Sequence, residues 1–217
     1  MLSFLLISAC LLPEPPHIDF IWLSRNKEEI RLELSEQPGA VQSDIEHEWM
    51  ESLLFEVPGE PDIKGSAEGS YAIANSKKPS DIAGAQIELG FQYDPRSKME
   101  KLSYVYSYAK SLRETSVLTK KLSQDCEIIL RKPASEWVAQ VRFRGKIQDK
   151  FRLYQFVTDP EKATMFEPES GENSYPLGKE LPQPLWLAAI VFEEKLGTKY
   201  GEPFDNVQHV ATLNWQK

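Results

Sequence analysis

Leu185-Trp-Leu-Ala-Ala-Ile-Val-Phe-Glu-Glu-Lys-Leu196 is the stretch that decides the fold class. It opens with eight apolar residues in a row, and an element that is apolar on almost every side must be buried. Pro184 stands where a proline favours the first turn of a helix, and Gly197 is a typical residue after a helix end. The stretch therefore predicts a buried helix packed against a sheet.

Alternating sequences elsewhere predict that sheet. The clearest strand covers residues 86–93, where Ile87, Leu89, Phe91 and Tyr93 alternate with polar residues and glycine. Residues 17–23 and 29–34 predict a β-hairpin with one buried face. Shorter strands are expected at residues 71–74, 127–130 and 207–215.

A second hairpin is predicted in the middle of the chain. Residues 137–143 place Trp137, Ala139, Val141 and Phe143 on one face, and residues 151–157 form another apolar run. Gly145 and Asp149 bracket the turn that would join them. The two runs are therefore expected to pair with each other.

Two further segments have helical features. Ser43 and Glu46 have the spacing of a capping box, and a short amphipathic helix is predicted over residues 44–54, with a strand beginning at residues 53–57 as the alternative for its end. Residues 97–122 contain neither Gly nor Pro and place apolar residues at helical spacing, which favours a helix. Tyr104, Tyr106 and Tyr108 would share one face of a strand equally well, so helix or strand stays open for residues 97–112.

The fold class that these segments predict is α+β. We expect a single domain with one antiparallel, hairpin-rich sheet and a few packed helices. Residues 167–184 hold four prolines and two glycines, so they are expected to form a long loop.

The N-terminus carries a recognisable motif. Ile7-Ser8-Ala9-Cys10 ends an uncharged apolar run and resembles the lipobox of bacterial lipoproteins, whose cysteine is acylated and becomes the mature N-terminus. The resemblance implies lipidation of Cys10, a signal and anchor segment with a Pro-rich tether over residues 1–16, and a globular domain over residues 17–217 that faces the periplasm. The alternative is a cytoplasmic protein in which residues 2–12 form a core strand.

Charge is unevenly distributed along the chain. The net charge is −8, which argues against nucleic acid as a partner because phosphate binding needs a basic surface. Residues 77–152 are basic, with 16 cationic and 9 acidic side chains. Five of these cations form a possible partner-binding face, which could instead be simply solvated: Arg142, Arg144, Lys146, Lys150 and Arg152.

Motifs for chemistry are incomplete. Ser107-Tyr-Ala-Lys110 matches the S-x-x-K pair of serine acyl-enzymes, but the accompanying Lys-Thr-Gly is missing. His47-Glu48 begins the zinc motif H-E-x-x-H, but Glu51 stands where the second histidine is needed. Cys126 adjoins two carboxylates and is expected to be a buried thiol with a raised pKa. We therefore expect no catalytic residue, no metal ligand and no cofactor.

The function predicted from these observations is that of a membrane-anchored bacterial lipoprotein. Its globular domain would act as a non-catalytic protein-binding module in the cell envelope, such as an assembly factor or an immunity-type protein. The expected partners are a protein and, through the N-terminal lipid, the membrane; the oligomeric state stays open. Two alternatives remain: a periplasmic hydrolase with a site assembled from dispersed residues, and a cytoplasmic interaction or immunity protein.

Overall fold

The computed structural model describes residues 20–26, 28–35, 38, 47–93, 101–156, 163–169 and 172–216. These residues form eighteen β-strands and two short 3-10 helices, at His47–Glu51 and Thr115–Val117. No helix within these ranges is long and apolar enough to span a membrane. Residues 1–16, which include Cys10 and the expected tether, lie outside the described residues.

A central sheet of eight strands forms the middle of the molecule. Neighbouring strands are antiparallel, except that β18 and β8 run parallel. In spatial order the strands are β13 (Ala163–Phe166), β12 (Arg152–Phe156), β15 (Leu185–Glu193), β18 (Asn206–Trp215), β8 (Leu102–Leu112), β7 (Ile82–Tyr93), β3 (Leu54–Glu56) and β4 (Ile63–Lys64).

A smaller sheet covers each face of the central sheet. The second sheet contains β1 (Phe20–Asn26), β2 (Glu29–Ser35), β6 (Tyr71–Asn75) and β5 (Ser66–Glu68), in that order. The third sheet contains β9 (Cys126–Arg131), β10 (Trp137–Phe143), β11 (Lys146–Ile147) and β14 (Tyr175–Gly178). A separate two-stranded hairpin consists of β16 (Gly197–Lys199) and β17 (Glu202–Phe204).

This three-layer arrangement creates two apolar cores. Leu187 and Ala189 on β15 pack in the core with the third sheet, whereas Ala188 and Ile190 pack in the core with the second sheet. Strand β15 is therefore buried on both faces.

The α+β prediction is wrong, because the described residues form an all-β fold. The stretch expected to be a helix is strand β15, which ends at Glu193. A strand that is buried on both faces shows a continuous apolar run instead of alternation, and periodicity cannot separate such a run from a buried helix. Gly197 does not follow a helix end but begins strand β16.

The helix favoured for residues 97–122 is also wrong over its described part. Residues 102–112 form strand β8, the alternative indicated by the three alternating tyrosines. Pairing with β7 and β18 and burial on both faces outweigh helix propensities of a few tenths of a kcal/mol per residue. The described part of the helix predicted at residues 44–54 forms a 3-10 turn at His47–Glu51, and the strand expected as the alternative at residues 53–57 is present as β3.

The second predicted hairpin does not form. Strand β10 turns back at Arg144 and Gly145, both with positive φ, and pairs with the two-residue strand β11. Two successive residues with positive φ suit the tight turn of a two-residue hairpin loop. Strand β12 instead lies in the central sheet between β13 and β15. The loop expected at residues 167–184 contains strand β14, which pairs with β10.

The first hairpin, the strand at residues 71–74, the strand at 127–130 and the C-terminal strand are confirmed. The clearest predicted strand is confirmed as β7 and begins earlier, at Ile82. The sequences of these strands contain the alternation or the short apolar runs that indicate a strand.

Candidate functional site

A cleft of about 440 Å³ lies where the central sheet, the third sheet and the β16–β17 hairpin meet. Strand β8 contributes Tyr104, Tyr106 and Tyr108, which share one face because successive side chains of a strand alternate. Strand β18 contributes His209, the register partner of Tyr106. The two rings are stacked, with centroids 5.5 Å apart and planes at 10°. We call this space the His209 cleft.

His209 is held on both ring nitrogens. Its Nε2 lies 3.3 Å from Oε2 of Glu193, and its Nδ1 lies 3.5 Å from the hydroxyl of Tyr108. Burial lowers the pKa of His209 despite the opposing effect of Glu193. The geometry fits a neutral imidazole that donates to Glu193 and accepts from Tyr108.

Glu193 connects His209 to Arg144. The two guanidinium nitrogens of Arg144 lie 3.1 and 3.3 Å from the two carboxylate oxygens, a bidentate arrangement. Burial disfavours the charged carboxylate, but hydrogen bonds from Arg144 and His209 prevail and hold the pKa of Glu193 below its usual value. The guanidinium also lies over the ring of Phe143, 4.6 Å from its centroid. The charges at this end of the cleft therefore neutralise each other.

A second polar cluster lies where the hairpin meets the central sheet. Tyr104 donates to Oε2 of Glu88 at 2.7 Å, and Nζ of Lys199 lies 3.2 Å from the same oxygen. Burial, together with the hydrogen bond to Glu88, raises the pKa of Tyr104. The Lys199 ammonium lies 5.1 Å from the centroid of the Tyr104 ring and 5.4 Å from that of Tyr200. Lys199 thus ties the hairpin to strands β7 and β8.

The hairpin itself is anchored by one aromatic ring. Phe204 contacts Tyr104, with centroids 5.8 Å apart. The ring also lies so close over Gly197 that a Cβ on that residue would collide with it. A glycine is therefore required where β16 passes beneath Phe204. Tyr200 and Gly201, both with positive φ, form the tip.

Two large apolar side chains are exposed here, Tyr200 at the tip of the hairpin and Leu196 directly before its first strand. Leu196 is 78% exposed and Tyr200 is 82% exposed, and within the described residues no other large apolar side chain is as open. A second cleft of about 820 Å³, bordered by Trp49, Phe91, Tyr104 and Tyr200, lies beside the hairpin. The hairpin therefore presents apolar groups next to two aromatic clefts that share Tyr104.

The five cations of the predicted basic face are dispersed. Arg142 lies 2.6 Å from Oε1 of the buried Glu127, Arg144 binds Glu193, and Arg152 contacts Glu167 from the central sheet. Lys146 and Lys150 are exposed. Only Arg144 lines the His209 cleft, and a role of the set in partner binding stays a prediction.

The S-x-x-K residues do not form a nucleophile–lysine pair. On strand β8 a spacing of three places Ser107 and Lys110 on opposite faces. The Lys110 ammonium is fully buried 3.3 Å from Glu127, and it donates to the carbonyl of Lys120. Lys110, Glu127 and Arg142 together hold the loop after Thr115–Val117 against the third sheet.

The prediction for Cys126 is confirmed. The thiol is fully buried beside Ile128 and Leu130, and it is a free cysteine. Burial first, then the charges of Glu127 and Asp125, raise its pKa. Such a thiol is unreactive at neutral pH.

Other sequence candidates cannot be placed. Cys10 lies outside the described residues, and the structure describes only the backbone of His47 and Glu48. Within the part of the chain that is described, no three His, Cys, Asp or Glu side chains cluster as metal ligands do.

Sequence reasoning missed His209, Glu193, Leu196 and Tyr200. Glu193 and His209 are diagonal neighbours on β15 and β18, a proximity that their sequence separation does not reveal. The hairpin had a partial signal, because Gly201 and Pro203 are residues that favour turns and loops.

Comparison with known proteins adds little. No protein family and no curated protein matches the chain. Among solved structures, the chain is similar to a two-domain fibronectin type-III segment of chicken tenascin, with 10% identity and a TM-score of 0.23 over 88% of this chain and 97% of that one. At that score the likeness supports no inference about fold or function.

Proposed function

We propose that this protein is a non-catalytic protein-binding module and that the β16–β17 hairpin, with Leu196 and Tyr200, is its partner-binding surface. The observation that carries the proposal is the exposure of these two side chains, one at the tip of an anchored hairpin and one directly before its first strand. Tyrosine is enriched among the residues that dominate binding energy, particularly where it enters a pocket of the partner. The partner is a protein, because an apolar protrusion fits a complementary concave surface.

The anchoring of the hairpin supports binding by a preformed surface. Phe204 on Tyr104 holds the base of the hairpin, and Lys199 on Glu88 holds the residue next to its tip, so little conformational freedom is lost when a partner engages the tip. Tyr200 borders the cleft that Trp49, Phe91 and Tyr104 also line, so a partner that engages it would bury it together with aromatic rings. Burial of aromatic surface is a main source of affinity at interfaces.

The pairing of the ionisable groups favours binding over chemistry in the His209 cleft. A general base needs a nitrogen or oxygen that reaches the substrate proton. Both nitrogens of His209 have protein partners, and Glu193 is bound by Arg144. We therefore assign His209, Glu193 and Arg144 a structural role beside the hairpin.

The compartment that we propose is the bacterial cell envelope. The support is the lipobox-like Ile7-Ser8-Ala9-Cys10, which would attach the protein through a lipid on Cys10, with the globular part facing the periplasm. Labelling of cells with radioactive palmitate tests this placement: wild type takes up label and Cys10→Ala does not. Unlabelled wild-type protein would end the lipoprotein proposal and leave the binding proposal standing.

Site-specific photo-crosslinking tests the binding surface. A photoreactive phenylalanine derivative replaces Tyr200 in the cells that produce the protein, and the matched control carries it at Glu136, an exposed loop residue of the third sheet. We expect one discrete cross-linked product from position 200 and none from position 136. Equal products from both positions, or none from either, would contradict the assignment of the surface.

A further inference from the structure

A small pocket of about 240 Å³ lies far along the strands from the hairpin, where β1, β8 and β18 end near each other. Arg25, Ser111 and Asn214 are buried within it, and Ser24, Arg113 and Gln216 form its exposed rim. Ser111 and Asn214 are register partners on the two parallel strands, so the sheet itself fixes this part of the pocket.

The lining is rich in hydrogen-bond donors. All six side chains carry a donor, two of them are guanidinium groups, and neither a carboxylate nor an apolar side chain lines the space. The amide nitrogen of Asn214 already donates to the carbonyl of Leu23 at 3.2 Å, so an anion would be bound by the other five side chains. Guanidinium groups match the geometry of carboxylate and phosphate oxygens. A pocket with this lining suits an oxyanion.

The two arginines are brought together at an electrostatic cost. Arg25 exposes only 9% of its surface, and its Nη2 donates to the carbonyl of Lys78 at 2.9 Å, which fixes the side chain. Burial and the nearby charge of Arg113 lower the pKa of Arg25, against the opposing effects of Glu60 and Asp81. A bound anion would relieve both unfavourable effects.

The neighbouring carboxylates do not fill the pocket. Glu60 accepts hydrogen bonds from the Ser76 hydroxyl and from the backbone amides of Lys77 and Lys78, so its oxygens are occupied elsewhere. Within the described residues, Arg113 makes no side-chain ion pair.

We propose that this pocket binds a small oxyanion, a phosphate or a carboxylate group, between the guanidinium groups of Arg25 and Arg113. The volume is below the roughly 300 Å³ at which pockets for drug-sized ligands begin, so the ligand is a small anion or the anionic end of a larger molecule. This site is separate from the hairpin and does not depend on the binding function proposed above.

Nuclear magnetic resonance titration of the full chain in mild detergent tests the proposal. The probes are sodium phosphate and sodium acetate, each added at pH 7 with sodium chloride adjusted to constant ionic strength. The first represents a free phosphate or phosphate ester and the second a carboxylate of a partner. We expect saturable shifts of the backbone amides of Arg25, Ser111 and Arg113 with at least one probe.

Two variants test whether the binding is specific to this pocket. Arg113→Gln removes the rim guanidinium, and Arg131→Gln removes an equally exposed arginine on β9 outside the pocket. We expect about tenfold weaker binding in Arg113→Gln, the loss of one charge-assisted contact, and unchanged binding in Arg131→Gln. Saturation by phosphate alone or by acetate alone supports the site and identifies the source of the anion.

The proposal fails if neither probe gives a saturable shift at these amides. It also fails if both variants weaken binding equally, because the effect would then be general charge screening.

Discussion

Strand β15 and the β16–β17 hairpin follow each other in the chain, yet apolar side chains are buried in the first and exposed to solvent at the second. On β15, Leu187 and Ile190 are fully buried on opposite faces of the central sheet. At the hairpin, Leu196 directly before β16 and Tyr200 at the tip are largely exposed to solvent. Burial explains the apolar residues of the strand, and nothing in the fold explains those of the hairpin. The difference indicates that the strand serves stability and the hairpin serves an interaction.

The largest loss of stability is expected for a substitution inside β15. Leu187→Ala leaves a cavity in the core beside the third sheet and should lower the free energy of unfolding by about 2–5 kcal/mol, measured by urea denaturation. Leu196→Ala, the same substitution on the hairpin, should change it by less than about 0.5 kcal/mol. Similar losses of unfolding free energy in the two variants would contradict the difference in burial between Leu187 and Leu196.

A smaller loss of stability is expected for a substitution at the base of the hairpin. Gly197→Ala forces the Phe204 ring away and should cost about 1–3 kcal/mol, the usual range for overpacking. Hydrogen exchange should accelerate in β16 and β17 and stay unchanged in β15. Thr198→Ala, an exposed change on the same strand, is the control and should leave exchange unaffected. Unchanged exchange in Gly197→Ala would show that Phe204 does not anchor the hairpin.

Acidification tests the pairing in the His209 cleft. Burial lowers the pKa of His209 in the folded state, so the unfolded chain binds a proton more readily. Stability contributed by the neutral ring is therefore present above the unfolded pKa of about 6.5 and declines as the pH falls below it. Between pH 7.5 and 5.5, wild type should lose more unfolding free energy than His209→Gln. If the unfolding free energies of wild type and His209→Gln changed with pH in parallel, the neutral imidazole with hydrogen bonds at both nitrogens would be contradicted.

The smallest effect is expected at the partly exposed pair of Lys199 and Glu88, where solvent screens the charges. Lys199→Met should lower the free energy of unfolding by about 0.2–1 kcal/mol, in the range of surface ion pairs. The loss should diminish further at 1 M salt. A loss as large as that of Leu187→Ala would mean that the hairpin belongs to the core.

The same contrast explains which parts of the structure the sequence could predict. Strands with one polar face, such as β2, β7 and β10, show alternation and were found. Strands β8 and β15 are buried on both faces, so their side chains lose the alternation and resemble helices. Residues 151–157 were identified as extended, but their partner was not, because strand pairing depends on contacts far apart in the chain.

The site was predictable only in part. The shared face of Tyr104, Tyr106 and Tyr108 follows from their spacing, and the raised pKa of Cys126 follows from its burial and then from the two adjacent carboxylates. Glu193 contacts both His209 and Arg144, which joins two strands of the central sheet to the turn after β10 in the third sheet, and no local pattern encodes this arrangement. The exposure of Leu196 and Tyr200 follows from a hairpin that joins none of the three sheets.

The most direct test of the central claim measures stability and binding in one variant. Leu196→Ser combined with Tyr200→Ser removes the exposed apolar groups, and a photoreactive side chain at Thr198 reports the partner. We predict an unfolding free energy within about 0.5 kcal/mol of the same probe-bearing chain with Leu196 and Tyr200 intact, together with loss of the cross-linked product that this parent gives. An equally strong cross-link, or a loss of stability near that of Leu187→Ala, would contradict the assignment of the hairpin to binding.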